Sequence, residues 1–179
     1  MRRFGQKTAM KRISLATLLL LTVPAHAADW VTYENPRYAF TVEVPGEGWE
    51  AQPEPGNGDG RTWYSTDGRS VIKVWATVPA DGFAADARAY VATAKEQGWT
   101  ITSDLDFNID LAQGPDAWHV FSASLDGRSI QQKGLPICGG SRAIYARLEF
   151  FESEFVEFLP ITDRLLNALK PVGDGCGGG

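Results

Sequence analysis

The sequence predicts an α+β fold: a mainly antiparallel sheet with one mid-chain helix and one C-terminal helix. Three observations lead there. Apolar residues recur at every second position from Tyr38 to Val44, the period of a half-buried strand. Two Asp-Gly dipeptides, Asp67-Gly68 and Asp126-Gly127, each separate runs of strand-forming residues and mark hairpin turns. From Phe83, and again after Ser153, the apolar spacing changes to three and four residues.

In order along the chain, Tyr38, Phe40, Val42 and Val44 alternate with Ala39, Thr41 and Glu43, and Pro45-Gly46 closes the run. Residues 61–66 and 70–78 form a hairpin around Asp67-Gly68. Phe83, Ala87, Tyr90, Val91 and Ala94 then follow helical spacing, with Asp81 expected as N-cap and Gly98 at the C-terminal end. Residues 99–107, 117–125, 128–137 and 142–150 read as strands. In the last of them Ile144, Ala146, Leu148 and Phe150 face one way, and Tyr145, Arg147 and Glu149 the other.

The final helix is expected to open at Ser153 and to place Phe155, Leu159, Leu166 and Leu169 on one stripe. An interior proline costs about 3 kcal/mol, so this helix should start close to Pro160 or bend there; Pro171 ends it. Helices segregated from an antiparallel sheet make an α+β sandwich.

The opening Tyr33-Glu34-Asn35-Pro36-Arg37-Tyr38-Ala39-Phe40-Thr41-Val42-Glu43-Val44-Pro45, the mid-chain helix, and the last helix after Leu148-Glu149-Phe150-Phe151 together resemble the Mog1/PsbP-like sandwich of many exported bacterial proteins. The resemblance spans nearly the whole of residues 28–172. It implies that fold and a partner-binding role without catalysis, since members include a photosystem II extrinsic subunit and a Ran-binding protein. It carries over no catalytic residue, and a fold does not specify a function.

The N-terminal segment points to export. Arg2, Arg3, Lys7, Lys11 and Arg12 precede an apolar run from Ile13 to Val23, followed by Ala25-His26-Ala27, an A-x-A cleavage signal. The run is about half of the ~20 residues needed to span a bilayer. Residues 1–27 are therefore expected to be a Sec-type signal peptide, residues 28–172 a single domain, and residues 173–179 a glycine-rich tail. The released form should be soluble, periplasmic and monomeric, with no membrane span. Removing five basic and no acidic residues takes the formal net charge from −5 to −10. That balance argues against nucleic acid and anionic membrane surfaces as partners.

An exported chain meets oxidising conditions, so Cys138 and Cys176 are expected to form a disulfide, worth roughly 3 to 4 kcal/mol on the loop-entropy model. A redox-active pair would call for C-x-x-C spacing, which is absent.

No catalytic, cofactor or metal residue is assigned. His26 leaves with the signal peptide, and His119 shares an apolar face with Ala117, Phe121 and Ala123, the setting of a hydrogen-bonded core or edge histidine. Zinc lacks a ligand set, and no G-x-S-x-G is present. Gly139-Gly140-Ser141-Arg142 could hold an anion but matches no phosphate loop and reads as a turn. Asn57-Gly58-Asp59-Gly60 lacks the acidic repeat of a calcium loop. Asp104, Asp106 and Asp110 could bind a cation weakly, but they read as a solvated strand end.

Of the six tryptophans, Trp63, Trp99 and Trp118 are expected in the core. Trp75 lies with Val71, Lys73 and Thr77, opposite Ile72, Val74 and Ala76. Unless a helix covers it, it forms a recognition surface together with Trp49 and Arg142. The leading functional expectation is a non-enzymatic periplasmic protein binding an envelope partner through a sheet face or the loop 52–60. A small-molecule or glycan binder with a Trp/Phe-lined pocket comes second, and a hydrolase using His119 third.

Overall fold

A computed structural model of the chain describes residues 29–110 and 116–176. The expected signal peptide, its cleavage site and residues 177–179 of the tail lie outside the described residues. In chain order the described residues form β1 (Trp30–Asn35), β2 (Phe40–Pro45), β3 (Trp49–Ala51), β4 (Gly60–Ser65), β5 (Val71–Thr77) and α1 (Phe83–Glu96). These are followed by β6 (Thr100–Phe107), β7 (Trp118–Leu125), β8 (Arg128–Ile137), β9 (Arg142–Phe151), α2 (Phe155–Ala168) and β10 (Lys170–Pro171).

Seven strands make one antiparallel sheet in the order β3-β4-β5-β9-β8-β7-β6, and β1-β2-β10 make a second, smaller one. This is the predicted α+β class. Side chains alternate across the large sheet, and the two sets are buried by different layers. Ile72, Val74, Ala76, Ile144, Ala146, Leu148 and Phe150 pack with Phe40 and Val42 of the small sheet and with Phe158 and Leu165 of α2. On the other side Ala143 and Tyr145 meet Phe83 and Ala87 of α1, while Phe121, Ala123 and Ile130 meet Val91 and Ala94.

The hairpin signals are realised. Asp126 and Gly127 both take positive φ, 49° and 75°, between β7 and β8, and Gly68 takes φ 70° between β4 and β5. Two glycines are fixed by close approach. A Cβ on Gly134 would lie 2.4 Å from the Tyr145 ring, and one on Gly60 only 1.9 Å from the Val74 carbonyl oxygen.

Helix α1 buries the predicted Phe83, Ala87, Val91 and Ala94, with Tyr90 half-buried. Its C-terminus is a Schellman motif: Trp99 N–H donates to the Ala94 carbonyl and Gly98 N–H to that of Lys95, with Gly98 at φ 90°. Its N-terminus corrects the sequence reading. Gly82, at φ 83°, is the N-cap, and Asp81 makes no cap. The acidic residue of the first turn, Asp86, is engaged instead by Thr77 and Tyr145.

At α2 three expectations are corrected. Ser153 sits in a 3-10 turn, Glu152–Glu154, and caps nothing; the chain leaves β9 through this turn, and Glu154 pairs with Arg69 at 2.8 Å. The helix starts at Phe155 and carries Pro160, which is exposed, in its second turn. The buried stripe is rotated from the predicted one. Phe158, Leu165, Leu166 and Leu169 are buried, whereas Phe155 and Leu159 remain 43% and 46% exposed. The helix also ends before Pro171, at Ala168; the chain then extends, and Pro171 pairs with Phe40 in β10. β1, β3 and β10 were not anticipated as strands.

The disulfide Cys138–Cys176 is present, with Cα atoms 4.5 Å apart. It returns the tail to the end of β8, where Cys138 N–H also donates to the Asp174 carbonyl.

Candidate functional site

Among the described residues, one exposed apolar patch lies on β6 and β7. Their register pairs Leu105 with Val120 and Phe107 with Trp118, so these four side chains point to the α2 side. Asp104, Asp106, His119 and Phe121 point to the α1 side by the same alternation. On the α1 side Phe121 is fully buried against α1. On the α2 side Leu105 is 57% and Phe107 49% exposed. Phe107 stacks on Trp118 with ring centroids 6.2 Å apart, which makes the patch continuous. β6 is also the sheet edge, and the Ile101/Ser103 bulge with Asp104 and Asp106 equips it against pairing with another strand.

Between this wing and α2 runs a groove of about 440 Å³. Trp118, Val120 and Lys133 supply the sheet wall, and Leu159, Thr162 and Leu166 the helix wall. Asp163 lines it as well, its carboxylate accepting from Asn167 Nδ2 at 2.9 Å. Among the described residues the buried Thr162 hydroxyl has no hydrogen-bond partner. Burial pushes the Lys133 ammonium below its ordinary lysine value.

The α1 side is polar where the wing is apolar. Arg147 Nε donates to Gln132 Oε1 at 2.7 Å, and the guanidinium lies over Trp75 and Phe121 at 5.6 and 5.9 Å. Burial lowers the Arg147 pKa, and the nearby Glu149 partly restores it. Tyr145 donates to Asp86 at 2.7 Å; burial and that carboxylate push its phenol far above the ordinary range. Trp75 stacks on Tyr145 at 5.2 Å and donates Nε1 to the Tyr90 hydroxyl at 2.8 Å. α1 therefore covers Trp75 in part, leaving it half-buried.

The residues expected to form one recognition surface are not brought together. Trp75 lines a recess of about 310 Å³ under the loop 52–60, with Pro53, Pro55 and Lys73. Trp49 is on the opposite side of the sheet, edge-on to Phe158 of α2 at 6.4 Å, and lines a separate recess with Val44 and Trp63. Arg142 donates to the Cys176 carbonyl and lies over the Tyr38 ring at 5.5 Å, so it ties down the tail. The loop 52–60 is itself anchored: Arg37 donates to the Asn57 carbonyl, and the buried Asn35 donates to that of Gly58 at 3.0 Å. Its Asn57 and Asp59 side chains bond each other at 2.6 Å.

His119 is 2% exposed, with Nε2 2.8 Å from Asp104 Oδ1. With Nε2 donating to that carboxylate, Nδ1 is left as a buried acceptor without a partner among the described residues. The three acids do not converge, since Asp110 pairs with Arg88 at 2.7 Å. Among the described residues no three His, Cys, Asp or Glu side chains are placed to hold a metal. Gly139 and Gly140, at φ 62° and 88°, form the turn beside the disulfide.

Sequence reasoning expected a Trp/Phe-lined pocket between sheet and helix but not the residues that line this groove. Trp118, expected in the core, is half-buried at its wall, and Trp99 is half-buried beside α1; only Trp63, 5% exposed, is a core tryptophan of the three. The signal for the wing was available in Asp104-Leu105-Asp106-Phe107, whose acids and apolar residues alternate. Lys133 and Thr162 carried no comparable signal.

A scan against models of protein families gave no match, and neither did a search of curated proteins. Among solved structures, the chain is similar to cyanobacterial PsbP (CyanoP) of Synechocystis sp. PCC 6803. The TM-score is 0.60 at 13% identity, covering 83% of this chain and 95% of that one. At this identity the likeness concerns the fold, and the chain has the PsbP-like α+β sandwich that its sequence resembles. No helix among the described residues is long and apolar enough to cross a membrane.

Proposed function

We propose that this chain is a non-enzymatic, exported binding or accessory protein that meets an envelope partner in the periplasm through the apolar wing beside α2. The observation that carries this reading is the continuous patch of Leu105, Phe107, Trp118 and Val120, with its first two members about half exposed on a sheet face that α2 leaves open. Exposed apolar clusters of this kind mark interaction sites. The disulfide agrees with an oxidising compartment. A hydrolase reading required His119 to face solvent, and its ring is closed in with Asp104. The chain is expected to act as a monomer.

The test is photo-crosslinking in the periplasm. A photoreactive residue is placed at Phe107, and as a control at Tyr64, which is exposed on the α1 side of the sheet. One recurrent envelope protein trapped from position 107 and not from 64 is the expected result. Equal capture from both positions, or none from 107, would defeat the reading.

A second reading, a small-molecule binder, is favoured by one specific observation. The groove between sheet and α2 has an apolar wall and a few polar groups at a volume within the ~300–1,000 Å³ of small-ligand sites.

A further inference from the structure

The groove has a chemical polarity. Its sheet wall offers the face of Trp118 and the branch of Val120, and its helix wall Leu159 and Leu166. Lys133 reaches into this apolar setting from β8. Among the described residues its ammonium has no carboxylate within ion-pair distance and no hydrogen-bond acceptor, and desolvation alone shifts its pKa. A desolvated cation without a counter-charge is held at a cost unless something supplies one. The second unmet group is the Thr162 hydroxyl. A helical threonine ordinarily returns its hydroxyl to the carbonyl four residues back, yet here the buried oxygen has no partner. That oxygen is closed off from solvent, so the unmatched group that borders the cavity is the Lys133 ammonium, and the remaining walls are largely apolar.

We infer that this groove is a site for a small amphiphilic carboxylate, its acid group taken by Lys133 and its apolar body lying along Trp118, Val120, Leu159 and Leu166. A carboxylate oxygen accepts a charge-assisted hydrogen bond from the ammonium and supplies the missing counter-charge. A phosphate dianion fits less well. The groove holds a single cation and also the Asp163 carboxylate, which would repel a second negative charge. A glycan would need several donors and acceptors arrayed along the site, whereas the wall facing Lys133 is aliphatic and aromatic. The inference deepens the small-molecule reading and rests on it. It is independent of the protein partner.

The experiment is isothermal titration of the folded protein, residues 28–179, with decanoate and with decan-1-ol below their aggregation limits. The two share an apolar chain and differ in charge. Decanoate is expected to bind about tenfold or more tightly than the alcohol, and Lys133→Met to abolish that preference while leaving alcohol binding in place. Lys133→Met keeps the aliphatic stem and removes a desolvated charge, so its thermal midpoint should equal or exceed the parent's.

Equal binding of acid and alcohol, or a preference that survives Lys133→Met, overturns the carboxylate assignment and leaves the groove as a neutral apolar site. Binding of neither compound overturns the small-molecule reading together with the inference. The crosslink from position 107 is unaffected in either case.

Discussion

The α1 face and the α2 face of the seven-stranded sheet are closed by different physics. Beneath α1, polar side chains are buried and several are matched: Tyr145 and Thr77 on Asp86, Trp75 on Tyr90, Arg147 on Gln132 Oε1, while His119 Nδ1 and Gln132 Nε2 have no partner among the described residues. Hydrogen bonds of fixed direction set where that helix sits, and each would leave an unsatisfied group if the helix shifted. Beneath α2 the contact is apolar, from Phe158 and Leu165 to Val42, Leu148 and Phe150. Such packing is strong but does not discriminate position as sharply, and α2 covers only part of its face. The face specified by polar groups keeps a recess beside Trp75, and the one specified by packing keeps a larger groove and an exposed wing. Both proposed binding surfaces lie on the α2 side.

The largest effect should come from the packed half of the α2 face. Leu165 is fully buried between α2 and the sheet, and Leu165→Ala should cost about 2–5 kcal/mol through lost transfer energy and the cavity left behind. Urea unfolding followed by far-UV circular dichroism measures it. A loss below about 1 kcal/mol would mean that α2 is held by something other than its apolar stripe, and the contrast between the two faces would fail.

The α1 face should answer to pH. The Tyr145 phenol is raised by burial first and by Asp86 second, and Tyr90 is raised as well, chiefly by burial. A raised folded-state pKa means the native state keeps a proton that the unfolded chain releases near pH 10. The stability from these groups is therefore complete below pH ~10 and is lost as pH rises above it, by up to about 1.4 kcal/mol per unit for each proton. Tyr145→Phe should cost about 1–2 kcal/mol at neutral pH, because Asp86 loses one of its two donors. It should also flatten the alkaline decline in thermal midpoint without removing it. An unchanged slope would show that Tyr145 ionises in the folded state as freely as in water.

Much of this architecture could be read in the sequence, for reasons that differ between elements. β2, the hairpins and β7 to β9 follow period-two alternation and Asp-Gly turns, both local signals. β3 and β10 have three and two residues, too few for any period to register, and both exist because a longer strand lies beside them. The stripe on α2 was misplaced for a related reason. Phe155, Phe158, Leu159, Ile161, Leu165, Leu166 and Leu169 leave few polar positions around the helix, and only tertiary contact with β2 and β9 decides which apolar residues are covered. Trp75, Trp49 and Arg142 each have the chemistry of a recognition residue. That Arg142 is occupied by the tail and that the two tryptophans lie on opposite sides depends on strand order, which spacing does not encode.

The smallest stability effect should be at the wing, and it separates binding from folding most cleanly. Leu105 and Phe107 are about half exposed, and their burial adds little to the core, so the double change Leu105→Ser with Phe107→Ser should cost less than about 1 kcal/mol. If the wing is the partner surface, the same change should abolish capture by a photoreactive residue placed at Val120 instead, while unfolding stays near the parent's. A loss of several kcal/mol instead would show that Phe107, through its stack on Trp118, is a structural support for the groove. The apolar exposure would then be a consequence of holding Trp118 in place. Because Leu105 does not stack on Trp118, Leu105→Ser alone distinguishes the outcomes: it should weaken partner capture in the first case and leave both stability and capture unchanged in the second.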